Sequence, residues 1–181
     1  MWKDNNSSYG WTSILFHWLS ALAVIFLFGL GFWMVELDYY HTWYNRSQWL
    51  HEGMGLLVLF FTLLRLIWRS AQPKISPVET GITALLAQWT HRLLYLLLLA
   101  ALITGFIIAS EDKEFIVVLD WFNVPALNGV IENQADTLGI WHKYLTYSLI
   151  GLALIHAVAA LYHHFVHKNE VLKRMLKPFK K

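Results

Sequence analysis

Cysteine is absent from the 181 residues, and its absence closes several chemistries at once. Covalent c-type haem attachment, thiolate-held iron–sulfur clusters, disulfides and thiol nucleophiles are all excluded, so any redox cofactor must be held without cysteine sulfur. Charge is scarce too: 14% of residues are Asp, Glu, Lys or Arg against 57% hydrophobic, too apolar a balance for a water-soluble domain of this size. Proline is rare; Pro73 and Pro77 only punctuate one connection, and no low-complexity linker or internal repeat is read in the sequence. A lipid bilayer suits such a composition, and no nucleic-acid partner is expected.

Long apolar runs stand in place of charge. Four stretches, 14–35, 50–68, 85–109 and 138–165, are each long enough to span about 30 Å of hydrocarbon at about 1.5 Å per residue. The fold expected is all-α: a single domain over residues 1–181, an integral-membrane four-helix bundle ending in a basic tail at 166–181. The first run follows Lys3 in the manner of a secretory signal. It is too long for a signal core, however, and Gly31-Phe32-Trp33-Met34 offers no small-residue cleavage site, so it is expected to stay in the mature chain.

The charges that remain are sorted by side. The N-terminus, the connection from Arg65 to Glu79, Arg92 and the C-terminal tail together hold 11 of the 14 Lys and Arg residues but only 3 of the 12 acids. The opposite side holds Arg46, Lys113 and Lys143 against nine acids, among them Glu111, Asp112, Glu114, Asp120, Glu132 and Asp136. The positive-inside rule then predicts both termini in the cytoplasm of a bacterial inner membrane, which requires an even number of spans. Trp11, Trp18, Tyr39, Tyr40, Trp43, Trp49, Trp68, Trp89, Trp121 and Trp141 fall near span ends, where amphipathic rings anchor at headgroup depth. In the outer connection 110–137, the apolar run 115–119 is too short to cross and is expected to cap the outer face as a short amphipathic or irregular piece.

Nine histidines in so apolar a chain form the informative anomaly, because polar side chains in a membrane are costly and usually have a task. His142 and His156 are 14 residues apart, which returns them to within roughly 40° of one helix face at about 21 Å separation along the axis. His17 on the first span lies level with His156, and His51 on the second lies level with His142. Two neutral imidazoles facing each other across a disc is how a b-type haem is held, so the spacing predicts two haems b, one near each membrane face.

The same 14-residue step from His17 reaches Gly31, and from His91 reaches Gly105. Both glycines can clear space for a porphyrin, or serve helix packing. From His51 the step reaches Arg65, which either meets a haem propionate or snorkels with Arg69 toward the headgroups. His91, His163 and His164 group near the inner face. There His91 and His163 can exchange a proton with a quinone carbonyl, while His164 is read as an interfacial hydrogen-bonding residue and His41 and His167 as solvated.

Several segments resemble the bacterial cytochrome b561 family of small four-helix dihaem cytochromes. They are Phe16-His17-Trp18-Leu19, Leu50-His51-Glu52-Gly53-Met54-Gly55, His91-Arg92-Leu93-Leu94-Tyr95, Trp141-His142-Lys143, Ile155-His156-Ala157, and His163-His164-Phe165 leading into Leu172-Lys173-Arg174-Met175. The resemblance covers almost the whole chain. It implies His17 and His156 as ligands of the inner haem iron and His51 and His142 as ligands of the outer. It places a ubiquinone site at His91 and His163, and for one branch implies superoxide oxidation at the outer side. The acidic outer connection would repel superoxide and attract a cationic periplasmic one-electron donor or acceptor, although Arg46 and Lys143 offer a small positive spot. Two rival functions stand beside this one, a haem-bearing anchor subunit that relays electrons for a partner enzyme and a metal transporter.

Overall fold

The computed structural model describes residues 1–78 and 80–178; Glu79 and the last three residues of the basic tail, Phe179, Lys180 and Lys181, lie outside the described residues. Four helices carry the apolar runs: α1 (Trp11–Met34), α2 (Tyr44–Ser70), α3 (Gly81–Ala109) and α4 (Gln134–Phe165). All four are long and apolar enough to cross a membrane. Each begins three to six residues before the run that marks it in the sequence, at 11, 44, 81 and 134 rather than 14, 50, 85 and 138. Hydropathy reports hydrocarbon depth, whereas backbone hydrogen bonding continues through headgroup-level residues such as Trp11, Tyr44 and Trp49.

α1 packs on α2 and α3 on α4, α2 against α3 joins the two pairs, and α1 meets α4 more lightly. The order around the bundle is therefore α1, α2, α3, α4, with α2 diagonal to α4 and α1 diagonal to α3. Asp136 in the first turn of α4 and Arg69 in the last turn of α2 complement the dipoles of their helices.

The N-terminal segment and the described part of the C-terminal tail lie at one end, here the terminal end, where a polar strap ties the helices. The Asp4 side chain is fully buried. It accepts bonds from the Gly10 amide (2.7 Å) and the Ser13 hydroxyl (2.9 Å) and meets Arg69 of α2 at 3.4 Å. The indole of Trp68 donates to Ser13 at 3.0 Å, and the Ser76 amide donates to the Asn6 carbonyl. The tail folds back through a short helix, α5 (Val171–Arg174): Trp18 donates to the Met175 carbonyl at 2.7 Å and Arg174 to the Ser76 carbonyl at 2.8 Å.

The opposite end carries a β-hairpin, β1 (Phe115–Val118) and β2 (Phe122–Pro125), paired antiparallel with Val118 opposite Phe122. A regular ribbon thus replaces the amphipathic or irregular piece expected there. Its turn places Leu119 and Asp120 at φ 47° and 61°, and the Trp121 amide donates to the Val118 carbonyl at 2.9 Å. Two central residues of positive φ make the mirror-image turn that suits strand twist. No glycine marks the turn, so its usual sequence signal is missing. Ile116 and Val118 pack inward onto α2, and Leu119 lies against Gly53, where an added Cβ would come within 2.9 Å of its Cδ2. Lys113 pairs with Glu52 of α2 at 2.7 Å.

A candidate haem site at two depths

At the hairpin end, α2 and α4 each present one imidazole across the bundle diagonal. The rings of His51 and His142 stand with centroids 6.3 Å apart and planes at 80°. With metal–imidazole bonds of about 2 Å and a ring radius of about 1 Å on each side, two imidazoles holding one iron would have centroids about 6 Å apart, so His51 and His142 are spaced to hold one.

The orientation of each ring has a local cause. A Cβ added at Gly31 of α1 would lie 3.0 Å from Cε1 of His51, and one added at Gly105 of α3 would lie 3.0 Å from Cε1 of His142. Each glycine makes room for an imidazole of the neighbouring helix, a third role beside the two the sequence left open. A helical side chain covers the turn N-terminal to its own Cα, so glycine also bares the carbonyl four residues back. Nδ1 of His142 donates to the Ala101 carbonyl at 3.0 Å, with the Thr104 hydroxyl at 3.2 Å. Buried Nδ1 of His51 lies toward the Leu27 carbonyl, short of a well-formed bond. With its proton on Nδ1, His142 keeps the Nε2 lone pair for a metal, the tautomer that an outer partner fixes in metal-ligating histidines.

No internal repeat is read in the sequence, yet the two helix pairs use the same device. His51 nests on Gly31 and His142 on Gly105, and in each case the carbonyl faced by Nδ1 lies four residues before the glycine. The signal is confined to a few small or polar positions among interchangeable Leu, Ile, Val and Phe, too few to register as self-similarity.

At the terminal end, α1, α2, α3 and α4 contribute His17, Arg65, His91 and His156. Arg65 is drawn inward: its NH2 lies 3.1 Å from Nδ1 of His17, and its guanidinium sits 5.2 Å over the Tyr95 ring. Because arginine can only donate, Nδ1 of His17 accepts, which leaves the proton on Nε2. Arg69, by contrast, turns to Asp4. His17 lies within electrostatic range of His156 and His91. The ring contact of His156 is with His91, at 5.1 Å and 69°, more than 1 Å closer than the pair at the hairpin end.

His163 packs on Tyr162 (6.0 Å) and His167 (5.1 Å), with Asn169 Nδ2 at 3.5 Å from its Nδ1. His164 stacks edge-on against Phe165. His41 accepts the Trp43 amide and meets Trp33 edge-on, so both it and His167 have ring neighbours rather than only water. Among the described residues, no three His, Asp or Glu side chains converge as they would to hold a bare metal ion. The partners that sequence reasoning missed are Thr104, Tyr95 and the Leu27 and Ala101 carbonyls; only the glycines four residues on could have flagged the carbonyls.

Apolar spanning helices, paired imidazoles inside the bundle and no cysteine define a class, the membrane cytochromes whose haem is held by histidine. Within it, the chain belongs to the prokaryotic cytochrome b561 family, whose family model matches residues 8–178. It is 42% identical over 170 residues to "Cytochrome b561 homolog 2" of Escherichia coli (strain K12), covering 93% of this chain and 90% of that protein. It is 31% identical over 180 residues to "Probable superoxide oxidase CybB" of Yersinia pestis, covering 94% and 97% respectively. With "Cytochrome b562" of Cereibacter sphaeroides it shares 31% identity over 174 residues, covering 91% and 92%. The protein is thus a multi-pass bacterial membrane haem cytochrome, and haem b and electron transport follow from the family.

Proposed function

We propose that this cytochrome carries electrons across the inner membrane on two haems b, between a one-electron donor or acceptor outside and ubiquinone near the cytoplasmic face. Both termini are cytoplasmic on this reading, with the hairpin periplasmic. The observation that carries it is the diagonal His51–His142 pair, spaced for one iron. His51 and His142 hold the outer haem; His17 and His156 hold the inner. When bound, the haems supply reversible one-electron chemistry at two depths.

The chain's own residues do the rest. Ala101 and Thr104 hold the His142 ring in its ligating tautomer. Nε2 of His17 becomes free only when Arg65 gives up Nδ1, and a propionate is the counter-charge that would draw the guanidinium away. His91 and His163, both at the terminal end, would bind a quinone carbonyl and pass it a proton. The name of the Yersinia pestis relative favours superoxide as the outer donor, with Arg46 and Lys143 as the local cations that would receive it. The pairing of His51 with His142 serves an anchor subunit equally well, and a soluble redox enzyme that co-purified stoichiometrically would shift the assignment there.

A pyridine haemochrome assay with a reduced-minus-oxidised spectrum on the detergent-purified protein tests the reading. Two haems b per chain are expected, reducible by ubiquinol. A colourless preparation, or one refractory to both quinol and superoxide, would overturn it.

A further inference from the structure

The hairpin is two-faced, but not in the manner of a ribbon turned toward water. Ile116 and Val118 on its inner face are 1% and 0% exposed, the most completely buried apolar side chains among the described residues. The alternate positions are mostly apolar as well: Phe115 and Val117 are 46% and 43% exposed and stand opposite Pro125 and Asn123, with Trp121 of the turn at 74% and the edge of Phe122 at 49% next to them. An antiparallel ribbon with one face on a core ordinarily turns polar side chains outward, and a contiguous apolar patch with a polar rim marks an interaction surface. The rim here is acidic, with Glu111, Asp112, Glu114 and Asp120 closest in sequence. This end of the bundle holds nine acids against three bases, and one of those bases, Lys113, is already paired with Glu52.

Charge separates the possible occupants. An anionic lipid surface is repelled by such a rim. A second copy would bring the same acids to face these, and like charges disfavour that contact. A soluble protein with a basic rim around an apolar centre satisfies both features. The patch is also well placed, because Leu119 of its turn rests on Gly53, two residues from His51.

We propose that the outer hairpin is the docking surface for a soluble, lysine- or arginine-rich one-electron carrier protein. This rests on the reading that His51 and His142 hold a haem. The exchange is outer-sphere: the partner loses one electron as this protein gains one, or the reverse, with no bond made or broken.

The test is stopped-flow mixing of the haem-loaded protein with a lysine-rich soluble c-type cytochrome as probe. The second-order rate is expected to fall at least about tenfold between about 10 and 200 mM salt. The triple variant Glu111→Lys, Asp112→Lys, Glu114→Lys should lower the low-salt rate by about tenfold, and Trp121→Ser should slow the reaction even at high salt, both with unaltered haem spectra. A rate indifferent to salt and to charge reversal overturns the proposal. So does a component of brominated-lipid quenching that Trp121→Ser removes, which would place the patch in the membrane, or a dimer broken by Trp121→Ser, which would assign it to a second copy. Reduction by a small soluble mediator is the control. If that fails as well, the functional reading falls, whereas failure with the probe cytochrome alone sinks only the docking surface.

Discussion

The imidazole edge of His142 lies where a side chain at position 105 of α3 would strike it, so a single methyl group should be decisive there. Gly105→Ala is expected to displace the His142 ring, and Gly31→Ala the His51 ring, since each added Cβ would lie 3.0 Å from a ring carbon. Either variant should lower haem content from two toward about one per chain by pyridine haemochrome. His142→Ala should remove mainly the outer haem and His156→Ala mainly the inner, distinguished by which half of a redox titration disappears. Loss of the same component from both variants would contradict the pairing. Thr104→Val should be milder, costing about 1 kcal/mol of ring positioning, and should appear as a small shift in the midpoint of the outer component rather than loss of haem. The histidine levels were legible in the sequence because helical rise and rotation are fixed by the backbone. The contact of His91 with His156, and that of Arg65 with His17, were not, because they depend on which helices pack side by side and how each is rotated about its axis.

Two elements outside the spans hold the bundle ends; a cap was expected at 115–119 but not its form as a hairpin, and the polar strap at the terminal end was not foreseen. The run 115–119 is short and apolar, and length alone cannot separate a buried strand from an irregular segment when its turn uses Leu119 and Asp120 in place of glycine or asparagine. Gly53→Ala is expected to push the turn off α2, since the added Cβ would lie 2.9 Å from Leu119 Cδ2 and 3.2 Å from its amide nitrogen. Proteolysis near Trp121 should then accelerate while helical content holds; unchanged protection would show that the turn can give way without cost. At the other end, Asp4 reads in the sequence as one ordinary charge near the terminus. In the fold it receives the Gly10 amide and the Ser13 hydroxyl in a fully buried position. Asp4→Ala should destabilise the protein by about 2 kcal/mol, lowering its thermal unfolding temperature in detergent without altering the haem spectrum.

At the scale of the whole molecule, the absence of cysteine is an experimental asset. Single replacements Trp121→Cys and Lys177→Cys, treated with a membrane-impermeant maleimide on intact spheroplasts, should label the first and spare the second. The reverse pattern would invert the topology argued from charge. Four spans were readable because the bilayer imposes a length on any sequence that crosses it. The diagonal arrangement was not, and it has a consequence for biogenesis. Each partner of the His51–His142 pair comes from a different helix pair, one from α1–α2 and one from α3–α4, so a haem held there would also cross-link two successively translated halves of the chain. Co-expressed as two polypeptides divided in the connection after α2, the halves should associate durably only where haem is supplied, with the cofactor acting as the fastener that the missing disulfides do not provide.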